Sequence, residues 1–242
     1  MRRMATCVLL ALAPVVVAAS TAGAQRQQLF NAMRDYHPAA ARAEDLSVVR
    51  RDVLPAARRM WGRVDGCTEE LRVVDSAAGA FTGRGMAQRA VLYRFCETGH
   101  DLARGGVAIV QGGRVVAHVA IEDGEPDGLR ALPDVDRDGM AELMLVDFAL
   151  NQGISTTGLS ILQLVPGAVR SLGGIDVYRE NLGTGEAMRS ERASILWATP
   201  GAKPVFELET HEHHAGMRAR WVGTERLHVV RLTPRGAYRR VR

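Results

Sequence analysis

The densest chemistry in the chain lies in the run Pro133-Asp134-Val135-Asp136-Arg137-Asp138-Gly139-Met140-Ala141-Glu142-Leu143. Counted from Asp134, acids hold the first, third, fifth and ninth positions and glycine the sixth. Three carboxylates at alternate positions of a tight loop can converge on one point. Gly139 permits the sharp turn, after which the Met140 carbonyl can face that same point. A hard cation such as Ca²⁺ takes about six to eight oxygens at about 2.3–2.6 Å, and this spacing supplies most of them. Without a cation, Asp134, Asp136, Asp138 and Glu142 would repel one another. The expectation is a Ca²⁺ site made by Asp134, Asp136, Asp138, the Met140 carbonyl and Glu142.

The loop is not an EF-hand. Its twelfth position is Leu145, where an EF-hand has its bidentate glutamate, and Leu143 to Phe148 read as strand rather than helix. Glu142, at the start of that strand, is the substitute ligand. D-x-D-x-D-G-x-x-E followed by an apolar strand resembles the calcium loop of FG-GAP and VCBS-type repeats of secreted and surface proteins. The resemblance covers residues 134–148, and 158–173 more loosely. It implies the same five ligand positions and a β-rich fold. A weaker similarity, over about 134–165, is to small bacterial proteins labelled as surface polysaccharide biosynthesis proteins. The motif occurs once in this chain, so a full propeller is not expected.

His211, Glu212, His213 and His214 form the one histidine cluster. On a strand, Glu209, His211 and His213 share a face, since side chains alternate. Two imidazoles and a carboxylate can hold Zn²⁺ with an open position, the basis of a secreted metal-dependent hydrolase. The plainer reading is a polar strand end before a turn at Gly216. Asn151 and Ser155-Thr156-Thr157 read as a turn between strands. Trp61, Tyr93, Trp197 and Trp221 read as core or sheet-face residues rather than a sugar-stacking platform, because aromatics make up only 5% of the chain. No G-x-S-x-G, H-E-x-x-H, Walker A or dinucleotide fingerprint is present.

Residues 1–24 read as a signal peptide: Arg2 and Arg3, an apolar run from Cys7 to Ala19, then Ala22-Gly23-Ala24 before Gln25. The apolar run is short of the roughly 20 residues that span a bilayer, and no later segment is apolar for long enough. Export predicts a periplasmic or secreted protein with no transmembrane segment after cleavage. Of three cysteines, Cys67 and Cys96 would remain, a pair that reads as a disulfide in an oxidising compartment. Closing such a loop is worth about 3–4 kcal/mol in the chain-entropy model. The net charge of +4 falls to +2 when Arg2 and Arg3 leave, since the segment holds no acid. No basic stripe accompanies it, which excludes a nucleic-acid surface. The basic end (Arg235, Arg239, Arg240, Arg242) and the acids from Glu122 to Asp127 read as solvated charge.

Positioning these groups falls to a helix and a series of strands. Leu46, Val49, Val53, Ala57, Met60 and Trp61 recur at helical spacing, predicting a helix over about 44–61 that Pro55 should kink or split. Short apolar runs then alternate with turn residues. They predict strands at 69–75, 88–95, 105–111, 114–121, 141–148, 158–165, 168–173, 193–199, 204–211, 217–222 and 226–233. Gly112-Gly113 and Pro166-Gly167 mark hairpins. With no helices between them, the strands should pair antiparallel. The expected architecture is mainly β, with antiparallel sheets as a sandwich or a small propeller-like arrangement and an N-terminal helix. The expected organisation is signal peptide 1–24, helical segment 25–67 and β domain 68–242. The expected role is a non-catalytic binding or scaffold module at the cell envelope, with an unknown envelope protein or glycan as partner. The alternatives are the hydrolase based on His211 and His213, or an accessory subunit of an envelope complex.

Overall fold

A computed structural model describes residues 25–34, 36–40, 42–67, 69–97, 103–181, 184, 189–215 and 221–241. The expected signal peptide lies outside them. The described residues form one helix and thirteen strands, all paired antiparallel. They are β1 (Gln27–Asn31), α1 (Ala43–Trp61), β2 (Arg72–Gly79), β3 (Gln88–Glu97), β4 (Ala103–Gln111), β5 (Arg114–Asp123), β6 (Gly128–Ala131), β7 (Leu143–Asn151), β8 (Ile154–Val165), β9 (Ala168–Glu180), β10 (Arg189–Thr199), β11 (Val205–Ala215), β12 (Trp221–Val230) and β13 (Ala237–Val241). One sheet runs β13-β5-β4-β3-β2. The other runs β12-β11-β10-β9-β8-β7-β6, with β1 also paired to β10. Neither closes into a barrel.

Alternating side chains divide the core into layers. Val48, Val49, Val53, Ala57 and Trp61 of α1 pack on Val91, Tyr93, Phe95 and Ala108 of the five-stranded sheet. The opposite face of that sheet (Leu92, Val107, Ile109, Val119) meets Leu143, Leu145, Leu162 and Leu164 of β7 and β8. Met144, Val146, Leu159 and Ile161 point the other way, into a third cluster with Phe30, Leu196, Phe206 and Leu208. The two sheets therefore stack face to face. The buried halves of β7 (residues 143–146) and β8 (residues 158–164) are covered on both sides, which explains why each carries apolar side chains on both faces.

Helix α1 runs unbroken through Pro55. Arg51, four residues back, and Pro55 itself are exposed, so the carbonyl that Pro55 cannot reach faces water. The buried Asp45 near its start meets Arg89 of β3 at 2.6 Å. Both expected hairpins form. Gly112 and Gly113 take φ of 57° and 72°, the left-handed pair that a two-residue turn between β4 and β5 requires. Val165 pairs with Ala168 across Pro166-Gly167. Cys67 and Cys96 are disulfide-bonded, with Cα atoms 4.9 Å apart. Cys96 lies inside β3 rather than after it.

Four further features differ from the sequence reading. Strands β1, β6 and β13 are short and were not expected, and β1 places a strand inside the segment read as helical. The expected strands at 217–222 and 226–233 are one strand through Gly223, with residues 216–220 outside the described set. Ser155, Thr156 and Thr157 belong to β8; the turn is Gln152-Gly153, again with both φ positive.

Candidate functional site

The acidic loop joins β6 to β7. Leu132 N–H donates to the Glu142 carbonyl at 2.8 Å and closes its neck, while buried Leu132 and Val135 anchor its sides in the core. Arg137 takes a left-handed φ of 62° and Gly139 one of 88°. These two reversals turn the alternate aspartates inward. Asp134, Asp136 and Asp138 each bring a carboxylate oxygen within 4.8 Å of the others. Backbone amides hold them in place. Asp138 N–H donates to Asp134 at 2.9 Å and to Asp136 at 3.2 Å; Gly139 N–H donates to Asp134 and Met140 N–H to Asp138, both at 2.8 Å. Met140 thus enters the described contacts through its N–H.

Glu142 does not join the three aspartates within that distance. It is 1% exposed, its Oε2 accepts the Val135 N–H at 3.1 Å, and its Oε1 has no hydrogen-bond partner. Burial raises its carboxyl to about 7, and the negative charges of Asp136 and Asp134 add to the rise. A buried oxygen without a donor, beside three converging carboxylates, is the condition a cation relieves. The donor set is all oxygen, which suits a hard ion such as Ca²⁺.

Two side chains that the motif did not reveal complete the surroundings. Gln163 of β8 is buried, and its amide nitrogen donates to Asp136 at 2.7 Å and to Asp138 at 2.5 Å. Arg84, from the β2–β3 connection, donates to the Asp138 carbonyl at 2.7 Å. A Cβ on Gly139 would stand 2.4 Å from the Arg84 Nε, so glycine serves both the turn and this approach. The sequence signal for Gln163 is a polar residue inside the apolar run 161–165.

The histidine cluster separates. Glu209 and His211 of β11 face outward, with the His211 Nε2 3.3 Å from the Glu209 Oε1. The third group brought to them is Glu225 of β12, directly across from His211. His213 is not part of that group; its ring lies against Gly223. The acids before the aspartate loop are ion-paired: Glu125 and Asp127 with Arg94 at 3.2 and 2.6 Å, Glu122 with Arg239. Arg235 of the basic end pairs with Asp176. These contacts fit the reading of both segments as ordinary surface charge.

A cleft of about 600 Å³ opens beside β7–β9 and the N-terminal segment, lined by Phe30, Tyr36, Phe148, Thr157, Tyr178 and Glu191 among others. Phe148 is 55% exposed there. Burial, with Glu191 and Glu180 alongside, raises the Tyr178 phenol to about 12, so it stays a donor, directed at Glu191 at 3.4 Å. The rings Phe148 and Tyr178 of this cleft are not among the aromatics that the sequence singles out.

No protein-family model matches this chain, and no match was found among curated proteins or solved structures. Among the described residues, no helix is long and apolar enough to cross a membrane.

Proposed function

We propose that the chain is an exported, non-catalytic β module whose β6–β7 loop is stabilised by Ca²⁺, and that it binds a partner at the cell envelope. The observation that carries the calcium reading is the convergence of Asp134, Asp136 and Asp138 next to the unpartnered Oε1 of the buried Glu142. Asp134, Asp136, Asp138 and Glu142 would hold the ion, together with the Met140 carbonyl. The loop joins two strands whose neighbours form the central core, so occupancy would act on the whole fold rather than on a reacting centre. The disulfide supports the exported setting. For the binding role, the cleft offers ring faces at Phe148 and Tyr178 and a carboxylate at Glu191. Such a combination suits a glycan, whose sugar rings have apolar faces and hydroxyl edges.

Chelation should lower the melting temperature of the protein, and Asp136→Ala should remove that response. At calcium a hundredfold above Kd, the gain is about 2.7 kcal/mol. Identical melting curves in chelator and in calcium would refute the site. Loss of glycan retention on envelope polysaccharide in Phe148→Ala would support the cleft as the binding surface.

A further inference from the structure

Strand β12 is the outermost strand of the eight-stranded sheet, held on one side by β11. Gly223 to Val229 are exposed on both faces. Cross-strand pairs set Glu207 opposite Val229, Glu209 opposite Leu227 and His211 opposite Glu225 on the outward face. Directly paired residues in an antiparallel sheet share a face, and i and i+2 on one strand do as well. Glu209, His211 and Glu225 are therefore neighbours by the geometry of the sheet itself, not by the chance placement of a loop.

We propose that Glu209, His211 and Glu225 form a site for a divalent transition-metal ion, Zn²⁺ in the first instance, that clips β12 to β11. Each contributes one ligand atom within 4.8 Å of the other two. Ligands about 2.0–2.1 Å from a tetrahedral Zn²⁺ stand about 3.3 Å apart. The His211 Nε2 and Glu209 Oε1 already have that separation, 3.3 Å. Glu209 is also oriented from behind: its Oε2 accepts the Trp197 indole N–H at 3.0 Å from β10. A carboxylate ligand fixed by a second hydrogen bond is what ordered metal sites require. The imidazole and carboxylates suit a borderline ion, whereas the all-oxygen loop at Asp134–Glu142 suits a hard one. Three protein ligands leave a fourth position toward solvent for water. The site differs from the pairing of His211 with His213 that the sequence suggested, because Glu225 sits across from His211 and His213 lies over Gly223.

Calorimetric titration with Zn²⁺ alone, in a large excess of calcium that competes at the acidic loop, tests this. One zinc should bind. His211→Ala and Glu225→Gln should each weaken it at least about tenfold, Trp197→Phe about tenfold through the lost orienting bond, and His213→Ala not at all. Zinc should also slow amide exchange across β12 in the unmodified protein, a readout that needs no variant. Glu225 is exposed, so its substitution tests the site without disturbing the core. Absence of zinc binding, or binding that survives both His211→Ala and Glu225→Gln, would overturn the proposal. Loss of binding in His213→Ala would do the same.

Discussion

Two carboxylates in this molecule are equally buried and differently finished. Asp75, on β2, gives both oxygens to donors. Its Oδ1 accepts the Ala39 and Ser76 N–H groups at 2.6 and 2.7 Å, and its Oδ2 accepts the Leu129 N–H at 2.6 Å and the Tyr36 hydroxyl. Glu142, at the neck of the acidic loop, has one donor and one bare oxygen. A buried carboxylate that the fold satisfies is architecture; here it ties the N-terminal segment and β6 to β2. One that the fold leaves incomplete is a place for something else to bind. The difference lies in the donors each position can recruit, not in the burial.

The largest effect should come from disturbing the finished site. Asp75→Asn keeps the shape but turns one acceptor oxygen into an amide NH₂ facing donors. These are the N–H groups of Leu129, or of Ala39 and Ser76, in a fully buried place. Stability should fall by about 3 kcal/mol or more in denaturant melts, with or without calcium. A loss under about 1 kcal/mol would mean the network adds little beyond packing.

A third buried ionisable group tests whether completion in the neutral form behaves in the same way. His118 of β5 is buried against the Tyr93 hydroxyl at 2.5 Å. Burial, helped by Arg240 and Arg239, lowers its pKa from 6.5 to about 4. The unfolded chain then takes up a proton near 6.5, while the folded chain resists until about 4. The stabilisation is therefore complete above 6.5, shrinks as pH falls through that window and is gone below it, a loss of roughly 3 kcal/mol. Glu142, raised to about 7, contributes a slope of opposite sign over the same range, so in melts between pH 7 and pH 4 the parent should lose this stabilisation relative to His118→Asn, which isolates the histidine's share.

For the unfinished site the expected sign reverses with conditions. In chelator, Glu142→Gln should be neutral or stabilising by about 1 kcal/mol: the amide oxygen still meets the Val135 N–H, and a buried charge disappears. In calcium, the same variant should give a smaller stabilisation than the parent, because a charged ligand has become neutral. Parallel thermal melts of the two proteins, each with and without calcium, measure the difference. Destabilisation in chelator comparable to that of Asp75→Asn would erase the contrast drawn above.

How much of this was visible in the sequence follows from how local each signal is. The turn of Gly112-Gly113, the apolar runs of β7 and β8 and the alternate aspartates are patterns within a dozen residues, and each was read correctly as a local element. Strands β6 (Gly-Leu-Arg-Ala) and β13 (Ala-Tyr-Arg-Arg-Val) have too little apolar content to stand out. They are strands because β7 and β5 supply partners. The convergence of Asp134, Asp136 and Asp138 was legible because they stand at alternate positions of one loop. Gln163 and Glu225 were not legible, since only strand register brings them to Asp136 and His211. Asp75 was hidden for the same reason: its donors come from residues up to 54 positions away.

The opposite sign in chelator should come from Gln163, which lies between the two cases. Its amide partly finishes the aspartate cluster by donating to Asp136 and Asp138. Gln163→Met keeps the buried volume of the side chain and removes both donors. In chelator, two clustered carboxylates then lose their shared hydrogen-bonding partner, and stability should drop by about 1–2 kcal/mol. In calcium the ion supplies the missing positive charge, and the deficit should shrink. A calcium response larger in Gln163→Met than in the parent would mean that the amide and the ion do overlapping work on the same oxygens. An equal response would place Gln163 with the packing of β8, leaving Glu142 alone as the incomplete member of the loop.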